Sequence, residues 1–222
     1  MKTKKYLNAG LVISFLGLSA CSSDFLNVPV QGKGTAATDP SLAENLVTGA
    51  YNTLISGDAF GSGDTHGIAF ISVTNIMSDD ADKGSTASDQ IGIIGELDNF
   101  LHSPTNIFVG SLWSGHYSAI AKCNQALKAL ETATVDEATK KRWIGEVRFL
   151  RGYYYFNLVR WYGGVPAVLR VPESADDANK DDKFQTRASV DDIYNIIIED
   201  LNFAVENTPL RNATQKGRIN KG

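Results

Sequence analysis

The segment EVRFLRGYYYFNLVRWYGGVP, residues 146–166, reads as the second half of a long helix that stops abruptly. Val147, Leu150, Tyr154, Leu158 and Trp161 recur at three- and four-residue spacing, so they share one helix face. Phe149, Tyr153, Phe156 and Tyr162 fill much of the remaining circumference. A helix apolar nearly all round is expected to be buried among other elements. Gly163 and Gly164 can take the left-handed conformation that closes a helix, and Pro166 cannot continue one. So many rings suit either a packed core or a binding platform; their helical spacing favours the core. Arg148, Arg151 and Arg160 lie between the rings and are expected to pair with buried acids or carbonyls, or to border a partner.

The same reading finds other helices. Asp39 can cap one starting at Pro40, in which Leu42, Leu46, Ala50 and Leu54 repeat every fourth residue beside Val47, Tyr51 and Ile55. A second apolar helix is expected over 67–77, and a third over 106–130. The third carries Trp113, Tyr117, Ile120, Asn124, Leu127 and Leu130 along one face, with Cys123 adjacent as a small buried hydrophobe. Thr134 and Glu137 have capping-box spacing and start the helix that ends at the glycines. Residues 165–183 read as a loop with an acidic, exposed tail at 173–182. Ser189 to Asp192 offers a last helix start, followed by the stripe Ile193, Ile196, Ile197, Leu201 and Val205. No strand alternation is sustained. The fold is expected to be mostly α, built from antiparallel helix pairs.

Composition narrows the class. With 43% hydrophobic residues in 222, the chain can bury the core of a globular domain. Its formal charge is −4, and the first twenty residues hold Lys2, Lys4 and Lys5 and no acids, which leaves −7 on the rest. An acidic body argues against a nucleic-acid partner, which needs a basic footprint. Residues 1–20 have the anatomy of an export signal, with a lysine-rich start and an apolar run from Leu11 to Leu18 too short to span a membrane. Leu18-Ser19-Ala20-Cys21 matches a lipobox, in which the Cys21 thiol takes the diacylglyceryl group. Acyl chains contribute about 0.8 kcal/mol per buried methylene, so several of them make a durable anchor. The expected organisation is a signal peptide over 1–20, a lipidated flexible tether over 21–38 and a helical domain over 39–222.

Residues 78–104 form the longest segment without a period, and such segments in compact domains are often functional. Asp80-x-Asp82-x-Gly84 faintly resembles a calcium loop, but the glycine is displaced and Ile91 stands where a bidentate glutamate is needed, so no metal is expected. Phe100 and His102 are the only rings in the segment. The candidate ligand-binding residues are therefore Asp79, Asp80, Asp82, Phe100 and His102.

Several of these segments together resemble the SusD/RagB lipoproteins of nutrient-uptake systems. The helix and its Tyr162-Gly163-Gly164-Val165-Pro166 exit carry the likeness most strongly. Trp113-x-x-x-Tyr117-x-x-Ile120-x-x-x-Asn124 supports it, as do Ser189-Val190-x-x-Ile193-Tyr194, Glu199-Asp200-Leu201 and Gly217-Arg218-Ile219-Asn220-Lys221-Gly222. The resemblance implies a SusD-like helical stack with tetratricopeptide-like helix pairs, of which this chain is expected to be a truncated, N-terminal portion. It implies a surface-exposed outer-membrane lipoprotein that binds an oligosaccharide or peptide. Its expected partner is a SusC-type TonB-dependent transporter, on which it acts as a lid without cofactor or chemistry. In starch-binding relatives, rings near the 78–104 segment help form the sugar platform; the absence of Trp and Tyr there puts starch specificity in doubt.

Two other functions fit parts of the sequence. A glycan-processing enzyme would need a positioned acid and base, and His66, His102, His116 and the neighbours Asp79 and Asp80 stand in no recognised catalytic spacing. A helical-repeat scaffold for peptide or protein ligands would present a groove without sugar-compatible rings.

Overall fold

Asp39 starts the first helix as its position before Pro40 implies. Its carboxylate accepts the Ser41 amide at 2.9 Å and opens α1 (Pro40–Asn52), which tightens into a 3₁₀ turn at Thr53–Ile55. The computed structural model describes residues 36, 39–55, 57, 63–211 and 216–221, all within the unit Thr35–Gly222. The expected signal peptide, Cys21 and all of the tether except Ala36 lie outside the described residues. Ala36 itself is 5% exposed, and its carbonyl accepts the Thr134 amide at 3.4 Å.

After α1 come α2 (Ile68–Ile71), continuing as a π-helical turn at Ser72–Ile76, and the short α3 (Ile94–Asp98). Two long antiparallel helices follow, α4 (Ile107–Thr132) and α5 (Glu137–Tyr162). Then α6 (Ala175–Lys180) and α7 (Asp182–Gln185) precede α8 (Val190–Asn207). The fold is mostly helical, as expected. The main core joins α1, α4, α5 and α8, and a smaller one joins α2, α3 and the start of α4.

Several local expectations need correction. The cap of α5 is Asp136, accepting the Thr139 amide at 2.9 Å, so the cap lies two residues later than Thr134 suggested. On α1 the buried line is Ala43, Val47 and Ala50, while Leu42, Leu46 and Leu54 are only half-buried. The small alanines face inward, where a large stripe would hold the helices apart. The acidic segment after residue 165 is not all loop. Arg170 holds Asp177 at 2.6 Å and Asp181 at 2.9 Å, stacks on Phe184, and gathers α6 and α7 around itself. No periodicity announces two helices organised by one arginine.

The glycine exit of α5 has a clear cause. Gly163 has φ +69°, where a side chain is strained, and its amide still reaches the Val159 carbonyl at 3.0 Å. A Cβ on Gly164 would lie 2.3 Å from the Ala188 carbonyl oxygen. The chain can therefore turn sharply and run back along the bundle, where Tyr117 donates to the Pro166 carbonyl at 2.8 Å and Tyr155 to that of Val168 at 2.9 Å.

The aromatic helix divides by face. Val147, Leu150, Tyr154, Tyr155 and Leu158 are at most 1% exposed, whereas Phe149 and Phe156 are over a third exposed. The helix is thus less enclosed than its composition suggested. Gly145 and Gly152 meet α8 closely, with Thr208 and Asp200 about a van der Waals contact from where a Cβ would stand. Cys123 is fully buried and free, and burial pushes its thiol up to about 12, which makes it an inert packing group.

Candidate ligand cleft

The smaller core places the walls of a cleft. Asp64 is fully buried and anchors this region on α4: its amide donates to the Ser111 carbonyl at 3.0 Å. Its carboxylate accepts the amides of Gly67 and Ala69, satisfying the first turn of α2 where a negative charge is favoured. Ser72 and Thr74 hydroxyls donate back to the carbonyls of Ile68 and Phe70, each at 2.8 Å, and the helix widens into its π turn. Asn106 ties α3 to α4. Its Oδ1 caps Phe108 at 3.0 Å, and its Nδ2 donates to the Ile93 carbonyl at 3.0 Å and to Glu96 at 2.9 Å.

Between the π turn, the 102–104 loop and the end of α5 lies a cleft of about 540 Å³. That volume is of the order of small-ligand sites. Val73, Met77, Val109 and Leu112 give it an apolar wall, and Trp161 and Tyr162 supply rings. His102, Ser103, Arg160 and Arg187 supply polar atoms, and none of the lining residues is acidic. Tyr162 is fixed by donating to the Val109 carbonyl at 2.7 Å and by an edge-on contact with Trp113 at 5.1 Å. Trp161 is half-buried, held edge-on by Phe70 at 5.7 Å and His116 at 5.0 Å. These last two rings of α5, read from sequence as packed scaffold, stand at a ligand-sized opening.

Of the five candidate ligand residues, only His102 lines this cleft. Phe100 lies two residues away, 63% exposed, with φ +56°. It closes α3, its amide reaching Leu97 and the Leu101 amide reaching Glu96, the pattern in which glycine is usual. A phenylalanine held in that conformation is strained and presents its ring outward. Asp79 and Asp80 are exposed, and Asp82 accepts the Gly84 amide at 2.7 Å. The loop is knitted by the Lys83 ammonium, which reaches the Thr86 and Asp89 carbonyls at 2.7 Å and the Ser85 hydroxyl at 3.0 Å. A lysine thus occupies the centre of the segment with calcium-like spacing. No group of metal-ligating side chains comes together among the described residues. Sequence reasoning missed Arg187 entirely, since nothing local distinguishes it from any exposed residue before a helix cap.

Behind Trp161, His116 is fully buried. Its Nδ1 donates to the Leu112 carbonyl at 2.8 Å, and its Nε2 accepts from Asn157 at 3.3 Å. Burial depresses its pKa to about 4, with a smaller push from His66. An unfolded histidine titrates near 6.5, so the unfolded chain takes up the proton first as pH falls. The contribution of the neutral ring is fully present above pH 6.5, is lost as pH falls and levels off below about 4. It amounts to on the order of 3 kcal/mol. Urea unfolding of the protein and of His116→Gln should therefore show a stability difference that shrinks by that order from pH 7 to pH 4. Parallel pH profiles would refute it.

Paired antiparallel helices around a ring-walled cleft make a helical scaffold. The chain belongs to the SusD-like family, whose profile, described as starch-binding and associating with the outer membrane, matches residues 44–221. It is 36% identical over 111 residues to a SusD-like protein of Bacteroides ovatus, covering 48% of this chain and 19% of that one. Among solved structures, a laminarin-binding SusD-like protein matches with a TM-score of 0.64 at 29% identity, covering 81% of this chain and 37% of that one. The surface glycan-binding protein A of Bacteroides fluxus matches with a TM-score of 0.66 at 28% identity, covering 82% and 37%. The chain spans well under half the length of each of these relatives.

Proposed function

We propose that this protein is a cell-surface carbohydrate-binding lipoprotein that captures an oligosaccharide in the cleft beside Trp161 and Tyr162. It is exported by a signal peptide over 1–20, acylated at Cys21 and joined by residues 21–38 to the helical domain over 39–222. It passes its ligand to a SusC-type TonB-dependent transporter in the outer membrane and closes over it as a lid. Closure requires that the ligand favour the closed state. It binds without making or breaking bonds; the description of its family and the binding proteins among its structural neighbours support that reading.

One observation carries the choice of site: two partly exposed rings stand beside polar side chains at a cleft of about 540 Å³. Ring faces stack on the C–H faces of sugars, while hydroxyls need polar partners. The test is calorimetry of the full chain against neutral β-glucan, uronate and sulfated oligosaccharides of equal length. At least one should bind, and Trp161→Ala should weaken it about tenfold, the equivalent of losing about 1.4 kcal/mol of ring contact. Unchanged affinity in a variant that still unfolds cooperatively would remove Trp161 from the site.

A further inference from the structure

The charge of the cleft runs against the charge of the protein. The chain as a whole is acidic at −4, yet the cleft is lined by Arg160, Arg187 and His102 and by no carboxylate. Elsewhere in the fold, arginines are paired with acids: Arg148 with Asp200 and Glu199, Arg151 with Asp200, Arg170 with Asp177 and Asp181, Arg218 with Glu146. Arg160 and Arg187 have no carboxylate within ion-pair distance among the described residues.

Both have local work that leaves donors over. Arg160 uses Nε on the Phe156 carbonyl at 3.4 Å and Nη2 on Asn157 at 2.7 Å, and its guanidinium lies 4.3 Å above the Phe156 ring. Arg187 directs Nη1 at the carbonyls of Tyr162 and Gly164, at 2.9 and 2.7 Å, at the end of α5. A guanidinium carries five N–H donors, and among the described residues Nη1 of Arg160 and Nε and Nη2 of Arg187 have no protein acceptor. A planar fork of this kind matches the oxygens of carboxylate and sulfate groups.

We infer that the cleft selects an anionic oligosaccharide, one bearing carboxylate or sulfate groups, with Trp161 and Tyr162 taking a sugar face and Arg160 and Arg187 its charged substituents. This rests on the reading of the cleft as a carbohydrate site. Uronate residues and sulfate esters share the chemistry, and separate titrations distinguish them.

The experiment titrates the full chain with oligogalacturonate, a sulfated galactan oligosaccharide and a neutral β-1,3-glucan of the same length. One charged ligand should bind about tenfold more tightly than the neutral one, and its affinity should fall as salt rises. Arg160→Gln should reduce that preference about tenfold. Arg187→Lys, which keeps a charge near the helix end, should reduce it less than Arg187→Gln. Thermal melts confirm that each variant folds. Equal or tighter binding of the neutral ligand, insensitive to both substitutions, overturns the anionic preference and leaves carbohydrate capture standing. Binding by none of the three overturns both.

Discussion

Asp200→Ala should destabilise the protein by about 3–5 kcal/mol. Asp200 is 1% exposed and lies where α8 crosses α5. It accepts Arg148 Nε at 2.6 Å and Arg151 Nε and Nη2 at 2.8 Å each. Arg151, 8% exposed, also donates to Asn124 at 3.0 Å and to the Leu169 carbonyl at 3.3 Å, and Asn124 donates to the Val168 carbonyl at 2.9 Å. One carboxylate therefore organises a network joining α4, α5, α8 and the segment that leaves the glycine exit. Its removal strands the Arg151 charge without a counterion, whereas the less buried Arg148 keeps Glu199 at 2.9 Å. The stranded Arg151 dominates the loss. Glu199, 76% exposed, serves as the contrast, since its removal should change stability by less than about 1 kcal/mol. Urea unfolding of both variants checks the ranking. The double variant Asp200→Leu/Arg151→Met should recover part of the loss, because removing both charges leaves none stranded. An Asp200→Ala protein as stable as the parent would refute the assignment.

Gly115→Ala should cost about 2–3 kcal/mol despite improving helix propensity. A Cβ at this position on α4 would lie 2.2 Å from the Asp64 carbonyl oxygen and 2.6 Å from its C and N atoms. Backbone sits on both sides of the contact, so no rotamer relieves it. The Asp64 segment would have to lift, straining its bond to the Ser111 carbonyl and its caps on α2. Alanine gains about 1 kcal/mol over glycine in a helix interior, while overpacking and a lost hydrogen bond cost more. Gly110 on the same helix is the control. Nothing lies within 4 Å of its would-be Cβ, so Gly110→Ala should be neutral or stabilising. Thermal unfolding of the pair separates packing from propensity: a Gly115→Ala protein no less stable than Gly110→Ala would disprove the close approach. Because Asp64 orients α2 and hence the π turn, Gly115→Ala should also weaken the oligosaccharide binding proposed for the cleft, as calorimetry would show.

How much of this was legible beforehand depends on the range of the interaction. Caps are local, and Asp39 and Ser189 act as their sequence contexts imply, Ser189 forming a full capping box with Asp192. The glycine exit is local too. The boundary of α5 is less legible because Thr134 and Asp136 offer competing caps, and the helices around Arg170 have no apolar period to announce them. For the cleft, the rings of the aperiodic 78–104 segment point to His102, while the remaining candidates lie outside its lining. Arg187 and the outward placement of Trp161 depend on residues far away in the chain.

Helicity was legible in neighbouring residues, through the 3.6-residue period, the caps and the glycines, and the family in the motifs that those helices carry. The folded arrangement decided which acid meets which arginine. It also decided that backbone packs on Gly115 and that Trp161, in the last turn of a mostly buried aromatic helix, reaches an opening. The physical reason is that helix faces are set within a few residues, while charge pairing, close approach and concavity arise only when helices distant in sequence are brought together.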